Sequence, residues 1–318
     1  MLRYIAHRVA LGLVSLLLLS MMIYAAAQVL PGNPGRIVLG REATPGAVKE
    51  FNHKLGIDRP LPVRYGDWLI HAVQGDFGAN YTDGRPVTND LGPALKRSLL
   101  LALYAFLLCI PVSIFAGVMA ALRRGRPADR AITVTGLSLA VIPEFVLGAI
   151  LVTLLGPAFL NIFPGIAGTL DGASIWTKLD SLFLPALALA LVLFGYIARM
   201  ARAGTMEALD ADFTRTATLK GLRRRDVLLR HVLRNGLLPT IAVISTQVGY
   251  LFGGIVAIEK LFGYPGIGFL TLTAAQIKNF PMLLACVLVL GVVYFVATLS
   301  GDLLIAALNP RVRLARQG

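Results

Sequence analysis

Charge is scarce in this chain. Asp, Glu, Lys and Arg make up 15% of its 318 residues, against about 25% in soluble domains, and 56% of it is hydrophobic. A soluble globular domain is excluded. Cysteine is nearly absent. Cys109 and Cys286 both lie inside apolar runs and read as small apolar fillers, so neither a disulfide framework nor a zinc spacing can be built. The four histidines, His7, His53, His71 and His231, are scattered and offer no metal cluster. None of the seven lysines follows a glycine. The pattern G-x-x-x-x-G-K-[ST] is therefore missing, and the chain has no P-loop for ATP.

What the chain has instead is a series of long apolar runs. Each matches the ~20 residues needed to cross ~30 Å of hydrocarbon. The runs are continuous rather than alternating, which excludes a β-barrel. They predict six transmembrane helices at about 9–30, 97–122, 131–156, 182–203, 237–258 and 281–308. The first could also be a signal peptide, because Ala25-Ala26-Ala27-Gln28 offers an A-x-A site, but it is longer than an ordinary signal h-region. The last stops at Asn309-Pro310, where proline cannot continue a helix.

The net charge of +13 is a matter of topology. Segments 1–8, 123–130, 199–235 and 310–318 hold 18 Lys and Arg; the longer segments 31–97, 157–181 and 259–280 hold 12. The positive-inside rule puts both termini in the cytoplasm, with the short segments 123–130 and 199–235 deciding the matter. Nucleic acid is not an expected partner; the basic residues flank spans and meet membrane lipid.

The segment 31–96 then lies outside. It is rich in turn formers (Pro31-Gly32-Asn33-Pro34-Gly35, Pro45-Gly46, Pro60, Pro62, Gly75-Asp76-Phe77-Gly78), and Ala47–Leu55 and Pro62–Val73 have helical apolar spacing. A small extracytoplasmic cap of two or three short helices is expected. Asp76-Phe77-Gly78 matches a kinase tripeptide by chance, with no glycine-rich loop or H-R-D beside it.

The most informative stretch is the basic insert at 205–235, between two apolar runs. Ala208–Lys220 is predicted to form a short helix outside the bilayer, with Leu209, Phe213, Ala217 and Lys220 near one stripe and Gly221 as its terminator. A second basic helical stretch follows at Arg223–Arg234. These residues alone leave two readings open: a helix that docks on a partner, or one whose arginines meet anionic headgroups.

Glu144 is the one carboxylate well inside a span. Such a group costs roughly 2.5–3.5 kcal/mol on insertion scales and faces a cavity or a partner. It reads either as pathway lining that favours a cationic group or as a carboxylate capped beside Pro143 at a kink. Asp302 is expected to pair with an arginine of a cytoplasmic loop or with another subunit. Gly249, Gly253, Gly254, Gly291, Ser300 and Gly301 read as sites of close helix packing. No catalytic constellation is expected: no histidine is mid-span, and Asp302 is the one candidate aspartate, which argues against an intramembrane protease.

Asp212-Phe213-Thr214-Arg215-Thr216-Ala217-Thr218-Leu219-Lys220-Gly221-Leu222, followed by His231-Val-Leu-Arg234-Asn235-Gly-Leu-Leu238-Pro239, resembles the cytoplasmic "EAA" loop of ABC-importer permeases. More narrowly, the chain resembles the B-type permease subunit of the dipeptide, oligopeptide and nickel importers. The likeness extends over Arg3 and Arg8, Pro31-Gly32-Asn33-Pro34, Leu55-Gly56-Ile57-Asp58, Gly75-Asp76-Phe77-Gly78, Pro143 and Phe145. It continues through Glu259-Lys-Leu-Phe262-Gly-Tyr-Pro265-Gly266-Ile267-Gly268, Asp302-Leu303 and Asn309-Pro310-Arg311-Val312-Arg313. Departures are Arg215 and Thr216 in the first two places of the "EAA" core, Asn309 in place of Asp, and Glu144 in place of a small or polar residue.

The resemblance implies an all-α polytopic protein of the bacterial cytoplasmic (inner) membrane, with the first helix retained. It divides the chain into an N-terminal tail and first helix (1–30), the extracytoplasmic cap (31–96), a permease core (97–308, with the coupling loop at 205–235 between helices 4 and 5) and a cytoplasmic tail (309–318). It implies a sister permease subunit, two cytoplasmic ATPase subunits that carry ATP and Mg, and an extracytoplasmic substrate-binding protein that touches 31–96 and 259–280. This chain itself would bind no cofactor. Phe213, Arg215, Thr216, Ala217, Lys220, Gly221 and Leu222 would couple to the ATPase, and Glu144 is the candidate pathway residue. An ion-coupled secondary transporter is the alternative; it would show internal repeats and several midplane ionisable groups, and neither is evident.

Overall fold

The computed structural model describes residues 2–29, 33–40, 42–54, 56, 58–168 and 172–308. The tail 309–318 with Asn309-Pro310 lies outside the described residues, as do Pro31, Gly32, Leu55 and Ile57. Among the described residues every regular element is a helix, apart from one isolated bridge between Ala79 and Pro86.

Among the described residues five helices are long and apolar enough to cross a membrane: α1 (Leu2–Val29), α5 (Thr88–Leu122), α8 (Ile175–Asp210), α12 (Leu238–Leu261) and α14 (Phe280–Leu308). The expected span at 131–156 is not one continuous helix. It consists of α6 (Pro127–Val141) and α7 (Glu144–Leu155), bent by 105°. Pro143 explains the break. Its ring pushes the preceding residue out of the helical region, and Ile142 is extended at φ −77°, ψ 126°. The chain is an all-α polytopic membrane protein with five spans among the described residues, or six where the bent pair counts as one.

Short helices fill the stretch before α5: α2 (Pro34–Leu39), α3 (Pro45–Lys54) and α4 (Leu61–Val73). Asn33 caps α2, accepting from the Arg36 amide at 3.3 Å and from Asn52 Nδ2 of α3 at 2.9 Å. The connection continues through α9 (Asp212–Leu219), α10 (Arg224–Asp226), a π-helical turn at Val227–Val232 and α11 (Leu233–Gly236); α13 (Ile267–Gln276) precedes α14.

Residue contacts divide the chain into two compact units. One comprises Ala6–Leu99 and Pro265–Phe295. Its core joins Val87, just before α5, and Leu91 and Ala94 of α5 to Ile267 and Ala274 of α13 and to Met282, Ala285 and Cys286 of α14. A second cluster gathers Tyr24, Ala27, Phe280 and Leu284, with Tyr65 and Trp68 of α4 packed against it. The Asp76-Phe77-Gly78 turn is structural: the Gly78 amide donates to Asp76 Oδ1 at 2.9 Å, and Phe77 packs on the first cluster.

The other unit comprises Met1–Ile5, Leu100–Tyr264 and Val296–Gly318. Its centre is α8, on which α6, α7, α11 and α12 all pack. Ser174 starts α8 by accepting from the Thr177 amide at 3.2 Å. Small residues then bring neighbours close, since without a water-driven hydrophobic effect in lipid, helices associate through tight packing. A Cβ on Gly136 would lie 3.1 Å from Cα of Gly195, and a Cβ on Gly117 would strike the Ala198 carbonyl. Of the glycines read from sequence as packing sites, Gly254 and Gly301 do face close neighbours, but a Cβ on Gly253 would meet nothing within 4 Å.

Candidate functional site

The basic insert is organised differently from its sequence pattern. Residues 205–210 are the end of α8 rather than the start of a new helix. The helix breaks at Ala211, which is extended at φ −77°, ψ 149°, and α9 begins at Asp212. The break changes the phase of the apolar stripe. Leu209 stays on α8, while α9 turns Thr214 and Ala217 inward; both are buried. Ala217 packs in a cluster with Ala208, Val227 and Val232. Thr214 Oγ1 also donates to the Ala208 carbonyl at 2.6 Å, back across the break. Thr214 was not a sequence candidate, and a threonine in a polar helix carries no signal that it will be buried.

The remaining candidates share the outer side. Phe213 is 40% exposed, and Arg215, Thr216 and Lys220 are exposed. Leu219, also missed in the sequence, is 80% exposed, and Leu222 is 43% exposed. The helix ends in a Schellman arrangement. The Gly221 amide donates to the Thr218 carbonyl at 3.0 Å and the Leu222 amide to the Ala217 carbonyl at 3.4 Å. Gly221 sits at φ +75°, in the left-handed region that glycine enters at least cost. The structure thus gathers all seven sequence candidates into one short helix and its cap, with Ala217 on the inner side and the other six outside.

The π-helical turn supports α9 from behind. Hydrogen bonding from i to i+5 brings residues five apart onto one side, and Val227 and Val232 are both buried there. The arginines Arg224, Arg225, Arg230 and Arg234 stay exposed. The predicted helix Arg223–Arg234 is therefore present but interrupted.

Two contacts fix the end of α8 that carries α9. Arg202 grips Asp129 of α6 with two bonds, Nε to Oδ1 at 2.6 Å and Nη2 to Oδ2 at 2.9 Å. Asp129 also accepts from the Gly125 amide at 2.9 Å and from Thr133 Oγ1 at 3.5 Å, so the α5–α6 connection is tied in. Farther along, Gly204 meets Gly236 of α11.

Glu144 occupies a different place, at the bend of the broken span. It is the first residue of α7 and half-buried. Its carboxylate lies against α12: a Cβ on Gly254 would be 2.9 Å from Glu144 Oε1. A small cavity beside it is lined by Leu189, Val192, Leu193, Tyr250, Leu251 and Gly254. Among the described residues the carboxylate has no hydrogen-bond or ion-pair partner. The capped reading raised by the sequence has no such bond to support it. Asp302 is half-buried on α14. Among the described residues no three of His, Cys, Asp and Glu stand together as metal ligands.

Residues 113–314 match the family described as "Binding-protein-dependent transport system inner membrane component". Residues 1–87 match the N-terminal part of the same class of component. The chain is 32% identical over 319 residues to the "Glutathione transport system permease protein GsiC" of Salmonella typhimurium (strain LT2), covering 98% of this chain and 99% of the relative. It is 32% identical over 317 residues to the protein of the same name from Escherichia coli (strain K12), with the same coverage.

Proposed function

The chain belongs to the family of binding-protein-dependent transport system inner membrane components, the ABC-importer permeases of the peptide and nickel group, and we propose that α9 is the point at which it couples to a separate ATPase. In this reading it forms one half of a translocation path with a sister permease. Two cytoplasmic ATPase subunits carry ATP and Mg. A binding protein delivers cargo to the 31–96 and 259–280 segments. The excess of Lys and Arg in 123–130 and 199–235 supports a cytoplasmic position for α9 and both termini. The cargo is a di- or oligopeptide or a related small solute; relatives named for glutathione transport support a short peptide-like molecule. Glu144 lines the path.

The observation that carries the coupling role is the two-sidedness of α9. Its inner side is locked to the protein, while Phe213, Leu219 and Leu222 stand exposed on a helix too short to reach across a bilayer. Exposed apolar anchors on a rigid support are what a partner groove takes. Reconstitution of the whole importer tests this. Leu219→Asp is expected to leave membrane insertion intact, release the ATPase from the purified complex and abolish ATP-driven uptake. Normal uptake by that variant would overturn the coupling role. Uptake that survives ATP depletion and collapses with the proton gradient would favour a secondary transporter instead.

A further inference from the structure

We propose that Glu144, together with the rings of Tyr250 and Tyr196, forms a binding site for a primary ammonium group. This deepens the pathway reading of Glu144 and rests on it.

The carboxylate has no bonded partner among the described residues, although it lies at the bend between two apolar helices. Its position at the start of α7 gives it the positive end of that helix. That explains how the charge is tolerated, but it does not occupy the carboxylate oxygens. Tyr250 lines the same cavity as Glu144. The Tyr250 ring lies 6.2 Å from that of Tyr196, tilted by 52°. The two tyrosines are 45% and 37% exposed. One turn earlier on α12, the amide nitrogen of Gln247 is buried without a hydrogen-bond partner among the described residues, leaving a further polar group unused on the same helix.

An unpaired carboxylate beside aromatic faces is the chemistry that holds a cation. The carboxylate takes N–H donors, and the rings add attraction to their electron-rich faces. A hard metal ion would want several oxygen ligands, and one carboxylate does not supply them. Three open N–H donors on a single small head fit one carboxylate and two ring faces, which points to the primary ammonium of an amino-bearing solute.

Gly253 gives a way to test this without knowing the cargo. It neighbours Gly254, it is exposed, and a side chain there meets nothing within 4 Å. In the assembled importer, with Cys109 and Cys286 replaced by alanine, Gly253→Cys is treated with methanethiosulfonates carrying an aminoethyl, a sulfonatoethyl or a neutral methyl group. The expected result is that Glu144→Gln lowers the rate ratio of cationic to anionic reagent by about tenfold, the scale of local charge focusing in a cleft. Millimolar n-butylammonium, but not n-butanol, is expected to slow the neutral reagent. That protection is expected to survive Tyr250→Phe and to be lost in Tyr250→Leu and in Glu144→Gln. A rate ratio indifferent to Glu144→Gln, protection by neither compound, or no reaction with the neutral reagent would overturn the site. These measurements use neither ATP nor cargo. Failure of the α9 variants to uncouple uptake would sink the coupling role and leave this site standing, and the reverse also holds.

Discussion

Gly204 and Gly236 meet backbone to backbone: a Cβ on Gly236 would lie 2.6 Å from the Gly204 carbonyl oxygen, and a Cβ on Gly204 would strike the Gly236 carbonyl. The helix that leads into α9 and the helix that leads out of it are thus held together with no side chain between them. Gly204→Val or Gly236→Val is expected to force them apart at a cost of about 1–3 kcal/mol, as overpacked cores do. Thermal unfolding of the detergent-solubilised protein would read this out. Gly253→Ala, where space is open, is expected to be neutral or to stabilise by up to ~1 kcal/mol through helix propensity. Equal losses for all three variants would show that the close contact is unimportant.

Gly221 is constrained by its own backbone alone. It sits at φ +75° with nothing within 4 Å of a Cβ, so a substitution meets strain rather than collision. Gly221→Asn, a residue that visits the left-handed region, is expected to keep uptake near the starting level. Gly221→Val is expected to cost about 1–2 kcal/mol, to loosen the end of α9 and to reduce uptake. Hydrogen exchange at the amides of residues 218–222, measured beside uptake, would show whether the two losses go together.

Thr214 and Ala217 fix the angle of α9. Thr214→Val keeps the side-chain volume and removes the bond to the Ala208 carbonyl, a loss of about 1 kcal/mol for the bond itself and more if the buried carbonyl is left unpaired. The expected signature is faster proteolysis within 205–222 with spans otherwise stable. Ala217→Leu is expected to push α9 off its support and lower the yield of complex with the ATPase. An unaltered yield would place the important contacts on the outer side only.

Asp129 and Arg202 form a buried, forked pair in which the Asp129 side chain is 6% exposed. Arg202→Gln strands that carboxylate, and the expected loss is about 3–5 kcal/mol. Arg202→Lys is expected to recover little, because an ammonium cannot reproduce two parallel bonds. Replacing both partners, Asp129→Leu with Arg202→Met, is expected to restore most of the stability while leaving the α5–α6 connection freer. The comparison is made by thermal unfolding of the four proteins.

The spans were legible in the sequence because apolar length is a local property, and membrane crossing depends on it directly. The break at Pro143 was not, although the proline was plain to see. Pro111 lies inside α5 and Pro185 inside α8, yet both helices run through. Inside a helix proline removes one hydrogen bond. Whether the helix then continues is set by what packs around the gap, which no single segment records. A short helix within the basic insert was legible too, but its start and its phase were not. Ala211 is an alanine, the best helix former, and nothing local marks it as a break. The break goes with a bond made six residues apart, from Thr214 to Ala208, and with Val227 and Val232 much farther along the chain. Glu144 was conspicuous as a charge among apolar residues, but Tyr250, which shares its cavity, comes from α12, and Tyr196 beside Tyr250 from α8, both far away in the chain.

One rod connects the two ends of this unit. Residues 186–210 of α8 follow Pro185 without interruption. They include Leu189, Val192 and Leu193 beside Glu144, and also Arg202, Gly204 and Ala208 behind α9. At 1.5 Å per residue that is a body about 37 Å long. If a molecule held at one end and a protein held at the other each favour one tilt of this rod, each alters the binding of the other by the same factor.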